Sequence, residues 1–357
     1  MSVITIKSNL GDYEVHIDLA YEYLESLVKL EHKIFIIDEN VWRLYSHSLL
    51  KAVSESDAII FPVSEEVKTL ESVQRIYDQL VSKSAKRNMT LVTIGGGILQ
   101  DITGFVASTL YRGINWVLIP TTLLAQADSC IGSKTSLNYK GYKNLIGSFY
   151  PPRKVWVDTS FLASLRTEDF YSGLGEVVKL HIMGGEEKIR WLVDNYSSLS
   201  CKDSDTLQEA IVNSLNTKIN FISNDEFDLG RRNMLNYGHC FGHAIEASSD
   251  FNIPHGQAVV AGMILANIIA VQRELLSEEK KQLLEKTLLI PTLIIKPTLH
   301  DLQPETIIEA MSKDKKRTGQ GLVLIMPTSQ REMVKVNDLQ GEEVNSALEA
   351  FIEMLYQ

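Results

Sequence analysis

Short unbroken apolar runs of strand length punctuate the first 120 residues. Residues 33–37 (Lys-Ile-Phe-Ile-Ile) end in Asp38-Glu39-Asn40, and residues 58–62 (Ala-Ile-Ile-Phe-Pro) form a second run. A third, residues 90–94 (Thr-Leu-Val-Thr-Ile), is stopped by Gly95-Gly96-Gly97, and a fourth occupies 116–120 (Trp-Val-Leu-Ile-Pro). Helix-length amphipathic stretches such as 70–83 lie between them. Continuous apolar strands alternating with amphipathic helices predict a parallel sheet covered on both faces. Residues 1–11 alternate and read as one further strand. From Phe161 to about Leu289 the period is helical, with a strongly apolar helix over 259–275. The tail offers one strand, 321–326, and a last helix from about Glu342. The pattern thus predicts an α/β domain over 1–157 and a mainly α-helical domain over 158–357, with Pro151-Pro152 as the linker region.

Composition narrows the function classes. At 357 residues, 45% hydrophobic and 22% charged, the chain has the make-up of a soluble globular protein of about two domains. A formal net charge of -10 disfavours a nucleic-acid backbone as partner. Three well-separated cysteines, Cys130, Cys201 and Cys240, form no Cys-x-x-Cys pair, and an odd count argues against a disulfide framework. A reducing cytoplasm fits. The N-terminus has no signal-peptide pattern, and no apolar run reaches bilayer length, so no membrane partner is expected.

Candidate chemistry gathers at few places. Gly95-Gly96-Gly97 follows a strand and precedes a helical pattern beginning near Asp101. Amides there can approach a phosphate at a helix N-terminus, although the motif is not Gly-x-Gly-x-x-Gly and a plain tight turn would look the same. Asp38, at another strand end, suits either a ribose hydroxyl or a helix cap. Of eight histidines, His239 and His243 are spaced i, i+4, and His255 follows in Pro-His-Gly. Two imidazoles and a carboxylate would make an open three-ligand metal site; capping or core histidines are the alternative. Cys240 stands where His-Glu-x-x-His would need glutamate, which disfavours a metallopeptidase. Glu176 and Lys179, i, i+3 apart among glycines and apolar residues, read as a buried pair more than a surface one. Gly-Ser-Lys-Thr at 132–135 lacks the first glycine of a P-loop, but Lys134 and Lys143 beside glycines in so acidic a chain still suggest phosphate. Arg232 precedes His239 by seven residues, about two turns if the segment is helical.

In order, Gly95 to Gly97, Arg112-Gly113, 120–129 (Pro-Thr-Thr-Leu-Leu-Ala-Gln-Ala-Asp-Ser), Lys134-Thr135, Lys143-Asn144, 173–179 (Gly-Leu-Gly-Glu-Val-Val-Lys), 236–246 (Asn-Tyr-Gly-His-Cys-Phe-Gly-His-Ala-Ile-Glu) and His255-Gly256 together resemble the 3-dehydroquinate synthase family of sugar phosphate cyclases. The likeness runs from about Ile37 to about Lys316. It implies a Rossmann-like α/β N-terminal domain and a mainly helical C-terminal one. It also implies a divalent metal, zinc or cobalt, on Glu176, His239 and His255. The resemblance implies bound NAD on Asp38, Asn40, Glu65, Lys68, Gly96, Gly97, Asp101, Thr121, Thr122, Lys134, Lys143, Phe161 and Ser164. Substrate residues would fall on Asp128, Lys134, Asn144, Lys179, Lys218, Arg232, Asn236, His243 and one of Lys315 or Lys316. Arg112 matches an arginine that reaches in from a neighbouring subunit, which implies a homodimer. The substrate so implied is a small phosphorylated sugar acid.

The chain departs from the family pattern at Ser64, Gln100, Ser133 and Ser136, where glycine is usual, and at Asp228 and Gln257, where glutamate is usual. Two other enzyme readings compete: a cyclase for a neutral sugar phosphate and a polyol dehydrogenase of the glycerol dehydrogenase kind. Arg232 and Asn236 favour an acid substrate, and Lys134, Lys143, Asn144 and Lys179 disfavour the dehydrogenase.

Overall fold

The computed structural model describes residues 2–17, 22–313, 321–330 and 332–356. Lys315 and Lys316 lie outside the described residues. The chain forms two compact units, one of Met1–Ser164 with Ile222–Phe227 and one of Leu165–Phe221 with Asp228–Gln357.

The first unit is built on strands β1 (Ser2–Ile6), β2 (Tyr13–Ile17), β3 (Lys33–Asp38), β4 (Ala58–Phe61), β5 (Thr90–Gly95), β6 (Asn115–Pro120), β7 (Lys134–Tyr139), β8 (Tyr142–Phe149) and β9 (Lys154–Val157). Seven of these form one sheet in the order β1-β2-β9-β6-β5-β3-β4, and β7 pairs only with β8 as a hairpin. Every pairing in the large sheet is parallel except β1 with β2. The four apolar runs read from the sequence are β3, β4, β5 and β6. Their inner residues are buried; the unit also holds helices α1 (Glu22–Val28), α2 (Glu39–Tyr45), α3 (Leu70–Ser82) and α4 (Gly97–Thr109), of which α2 packs on β3 and β4 and α4 on β3, β5 and β6. Phe35, Ile37, Val92, Ile94, Ile119 and Phe161 share one cluster in this core.

Two features differ from the sequence reading: the strand expected over 1–11 ends at Ile6, and β9 was not expected. The chain turns at Ser8 to Gly11, where the Gly11 N–H donates to the Ser8 carbonyl at 3.2 Å, and returns as β2. Beyond Pro151-Pro152, the four-residue β9 inserts between β2 and β6, too short a run to stand out by periodicity.

The second unit holds α5 (Thr167–Met183), α6 (Glu186–Ser200), α7 (Ser204–Ile222, whose last residue belongs to the first unit), α8 (His239–Ser248), α9 (His255–Gln272), α10 (Glu278–Leu284), the one-turn α11 (Ile290–Thr292), α12 (Pro304–Ser312) and α13 (Gly341–Tyr356). The tail strand continues into an antiparallel hairpin, β10 (Leu322–Pro327) with β11 (Met333–Leu339). By length and hydropathy α9 would pass as a membrane span, but it is a core helix, packed against α5, α8, α13 and β10. A helix apolar on all sides belongs in such a place.

Helices α5 and α9 approach at backbone distance. A Cβ on Gly256 would lie 1.7 Å from the Ser172 carbonyl oxygen, and one on Gly175 would lie 2.4 Å from the Gly256 carbonyl oxygen. The Gly256 N–H also donates to Ser172 Oγ at 3.0 Å. No side chain fits at this crossing. Gly256→Ala is therefore expected to lower unfolding free energy by roughly 2–3 kcal/mol in a urea titration. Gly97→Ala, whose Cβ would meet only Ser129 Oγ at 3.5 Å, should change it by less than about 1 kcal/mol.

Candidate active site

The crossing of α5 and α9 sets Glu176, one residue after Gly175, beside His255, the first residue of α9. The His239 ring comes from the start of α8. Glu176 Oε1 lies 3.6 Å from His239 Nε2 and 3.5 Å from His255 Nε2. Donors held at about 2.0–2.2 Å from a tetrahedral zinc stand about 3.3–3.6 Å apart, so both distances suit one ion, and all three donor atoms lie within 4.8 Å of one another. The imidazoles are turned correctly for it. His239 Nδ1 lies 3.2 Å from the Tyr237 carbonyl, which can only accept, so a neutral ring keeps its lone pair on Nε2. His255 Nδ1 lies 3.2 Å from Glu246 Oε2. Side-chain exposure rises from 1% at Glu176 through 13% at His239 to 34% at His255, so the carboxylate is the floor and the imidazoles face outward. The residues fit a catalytic divalent ion with a position left open.

Charge in this cluster is concentrated. Lys179, one turn along α5, is ion-paired with Glu176, and both are buried. Burial holds the His239 pKa well below its ordinary value, reinforced by Lys179, His255 and His243. Burial also opposes charge on His255, but Glu246 and Glu176 overcome it and raise the ring to about 10. His243 is exposed, one turn after His239 on α8, with ring centroids 5.4 Å apart.

Arg232 and Lys218 are buried, at 4% and 7% exposure. Neither is the surface charge that an acidic neighbourhood would suggest. The helix expected to join Arg232 to His239 is interrupted. Arg231–Asn236 is a 3-10 turn, and Gly238 adopts a left-handed φ of +79° before α8 begins. Asn236 donates from Nδ2 to the Asn233 carbonyl at 2.9 Å.

In the first unit the parallel strands end on one edge. There stand Asp38, the loop bearing Glu65 and Lys68, Gly96-Gly97, and Thr121-Thr122. Gly95 pairs with Pro120 in register, and the Thr121 N–H donates to the Gly95 carbonyl at 3.1 Å. Gly96 caps α4 with no side chain, which leaves the first amides of α4 bare. Asp38 caps α2, its Oδ1 accepting the Asn40 N–H at 2.8 Å, while burial raises its pKa against these backbone bonds. Lys68 Nζ lies 2.5 Å from Asp101 Oδ2 and donates to Asn144 Oδ1 at 2.6 Å. Ser136 Oγ is 2.8 Å from both acceptors. Asn138 joins this network to Glu65, donating to its Oε1 at 2.7 Å. Lys134 and Asn144 are exposed on the β7–β8 hairpin, Lys143 is half-buried there, and Asp128 is half-buried in the π-type turn Ala125–Ser129. Phe161 is buried in the core, and Ser164 Oγ accepts from Tyr45 at 2.7 Å. Arg112 is exposed in a turn where Tyr111, Arg112 and Gly113 all have positive φ.

The structure thus brings Glu176, Lys179, His239, His243 and His255 together in the second unit, and Lys68, Asp101 and Asn144 together in the first. Sequence reasoning missed Glu246, Ser136 and Asn138. Glu246 was visible in principle: 239, 243 and 246 fall at i, i+4, i+7 on one helical face.

Residues 58–172 match the family model described as 3-dehydroquinate synthase N-terminal, and residues 173–317 the one described as 3-dehydroquinate synthase C-terminal. The chain is 38% identical over 348 residues to 3-dehydroquinate synthase of Clostridium tetani, across 95% of this chain and 91% of that one. Among solved structures, it superposes at TM-score 0.86 and 23% identity on 2-epi-5-epi-valiolone synthase from Streptomyces hygroscopicus with NAD+ and Zn2+ bound, covering 98% of this chain and 99% of that one. The same TM-score, 0.86, is reached at 24% identity with 2-deoxy-scyllo-inosose synthase complexed with carbaglucose-6-phosphate, NAD+ and Co2+, covering 98% and 100%.

The Lys68 network gives a test of its own. Lys68→Met removes the cation from a half-buried carboxylate and should cost about 2 kcal/mol in urea unfolding. The loss should shrink when Asp101→Asn is already present, as a double-mutant cycle would measure.

Proposed function

This chain belongs to the 3-dehydroquinate synthase family, and we propose that it converts DAHP, a phosphorylated seven-carbon keto sugar acid, to 3-dehydroquinate and phosphate. The family match over both halves of the chain carries this reading. The clustered Glu176, His239 and His255 support it.

The residues have distinct tasks. Glu176, His239 and His255 would hold the divalent metal, zinc or cobalt. The bare α4 N-terminus at Gly96-Gly97, with Asp38, Asn40, Glu65, Lys68, Asp101, Thr121, Thr122, Lys143 and the neighbouring Phe161 and Ser164, would hold NAD. When bound, these groups supply a Lewis acid for substrate hydroxyls and a reversible hydride acceptor. The chemistry then needs transient oxidation of a secondary alcohol to a ketone, removal of a proton from the carbon beside that ketone as phosphate departs from the next carbon, return of the hydride to the ketone, and opening of the resulting enol ether followed by aldol ring closure. Lys134, Lys179 and His243 bind the departing phosphate in this reading. Lys218 and the planar fork of Arg232 clamp the carboxylate. Asp128, Asn144 and Asn236 orient hydroxyls. Arg112, exposed on its left-handed turn, completes the site of a second copy, so the enzyme acts as a homodimer. Three cysteines, none of them in a disulfide among the described residues, fit a reducing cytoplasm.

Purified protein should release one phosphate per DAHP without net accumulation of reduced NAD. Chelation should stop turnover, and zinc or cobalt should restore it. Stoichiometric reduced NAD without phosphate would instead identify a polyol dehydrogenase.

Arg232→Lys separates an acid substrate from a neutral one. Lysine keeps the charge but not the bidentate geometry, so turnover of DAHP should fall on the order of tenfold or more, about 1.4 kcal/mol per factor of ten. Metal and NAD content should stay at wild-type levels. A wild-type rate in this variant, or a preference of the wild type for a neutral sugar phosphate, would transfer the enzyme to another cyclase specificity.

A further inference from the structure

Glu246 is 3% exposed on α8, and its Oε2 lies 3.2 Å from His255 Nδ1. The His255 ring therefore stands between two carboxylates, with Nε2 3.5 Å from Glu176 Oε1 on its other side. We infer that Glu246 is a positioning residue for the metal: it accepts the Nδ1 hydrogen of His255, fixes the ring, and leaves the Nε2 lone pair aimed at the ion. The inference rests on reading Glu176, His239 and His255 as ligands. Carboxylate partners of this kind set the tautomer of a ligating imidazole and raise its basicity. The two imidazoles differ here. His239 has a neutral carbonyl partner, that of Tyr237, and His255 a charged one. Glu246 thus has more to contribute to its ligand than Tyr237 has to His239.

A rival use of the same atoms exists. Donor atoms of His243, Glu246 and His255 also lie within 4.8 Å of one another, so they could hold a second ion. That would require His255 to give up its Nδ1 hydrogen and bridge two ions as an imidazolate. The 3.2 Å contact of Nδ1 with a carboxylate oxygen is the geometry of a hydrogen bond, so the positioning role is the simpler one.

The test titrates metal-free protein with zinc, and separately with cobalt, against a chromophoric chelator. It compares wild type with His255→Ala, Glu246→Ala and Glu246→Gln. Glu246→Ala should weaken the metal by on the order of 10–100-fold. Glu246→Gln keeps an acceptor oxygen without its charge and should fall between. The visible absorption bands of the cobalt form should change in Glu246→Ala, while metal-free Glu246→Gln should unfold at the wild-type midpoint. A merely structural role would move that midpoint and leave affinity and spectrum alone. Wild-type affinity and spectrum in both Glu246 variants would overturn the inference. So would two tightly bound ions in the wild type that drop to one in Glu246→Ala. Full metal retention by His255→Ala would overturn the ligand reading instead.

Discussion

The second unit depends on the contact of α5 with α9 at Ser172, Gly175 and Gly256. Backbone meets backbone there, leaving no room for a Cβ. That closeness fixes two helix axes, and with them the distance from a buried carboxylate to a histidine on the other helix. Glu176 would be costly to bury without Lys179 and the two imidazoles around it. Packing of small residues and placement of charge are thus one constraint: helices farther apart would separate Glu176 from His255.

Much of the first unit was legible in the sequence because its parallel strands, the edge strand β4 included, are apolar on both faces. The runs at 33–37, 58–62, 90–94 and 116–120 each mark a strand. The elements that escaped are those whose sequences look ordinary alone. β2 alternates like any surface strand, β9 has four residues, and the β7–β8 hairpin is polar enough to pass for a loop. In the site, the types and spacing of the histidines pointed to a shared face on α8. The break between Arg232 and His239 did not show, because a single left-handed glycine interrupts a segment that otherwise reads as helical. Lys315 and Lys316 lie outside the described residues.

The positions that depart from the family pattern are not idle. Gln100 and Ser129 bond reciprocally, Gln100 Nε2 donating to the Ser129 carbonyl at 2.6 Å and Ser129 Oγ to Gln100 Oε1 at 2.9 Å. Ser133 donates to Glu226 at 3.0 Å. Gln257 donates from Nε2 to the carbonyls of Tyr171 and Thr292, each at 3.0 Å, and accepts the N–H groups of Ile294 and Ile295 at 2.9 and 3.0 Å. A glutamate could accept the same two N–H groups but would set a negative charge against two carbonyls. The amide is therefore matched to the surroundings this chain builds.

The segment Ile222–Phe227 bears on how the gene can be divided. It leaves the helical unit and returns to the first, where Glu226 accepts from Ser8 Oγ at 2.5 Å, from the Asn9 N–H at 2.8 Å and from Ser133. The chain therefore passes from one unit to the other three times, and neither unit is a contiguous stretch of sequence. The border between the two family models, at 172/173, falls inside α5, four residues before Glu176. A fragment cut there would break the helix that carries the floor of the metal cluster. One begun at Leu165 would still strip Glu226 of three of its donors. A chimera between relatives would have to exchange both stretches of a unit together.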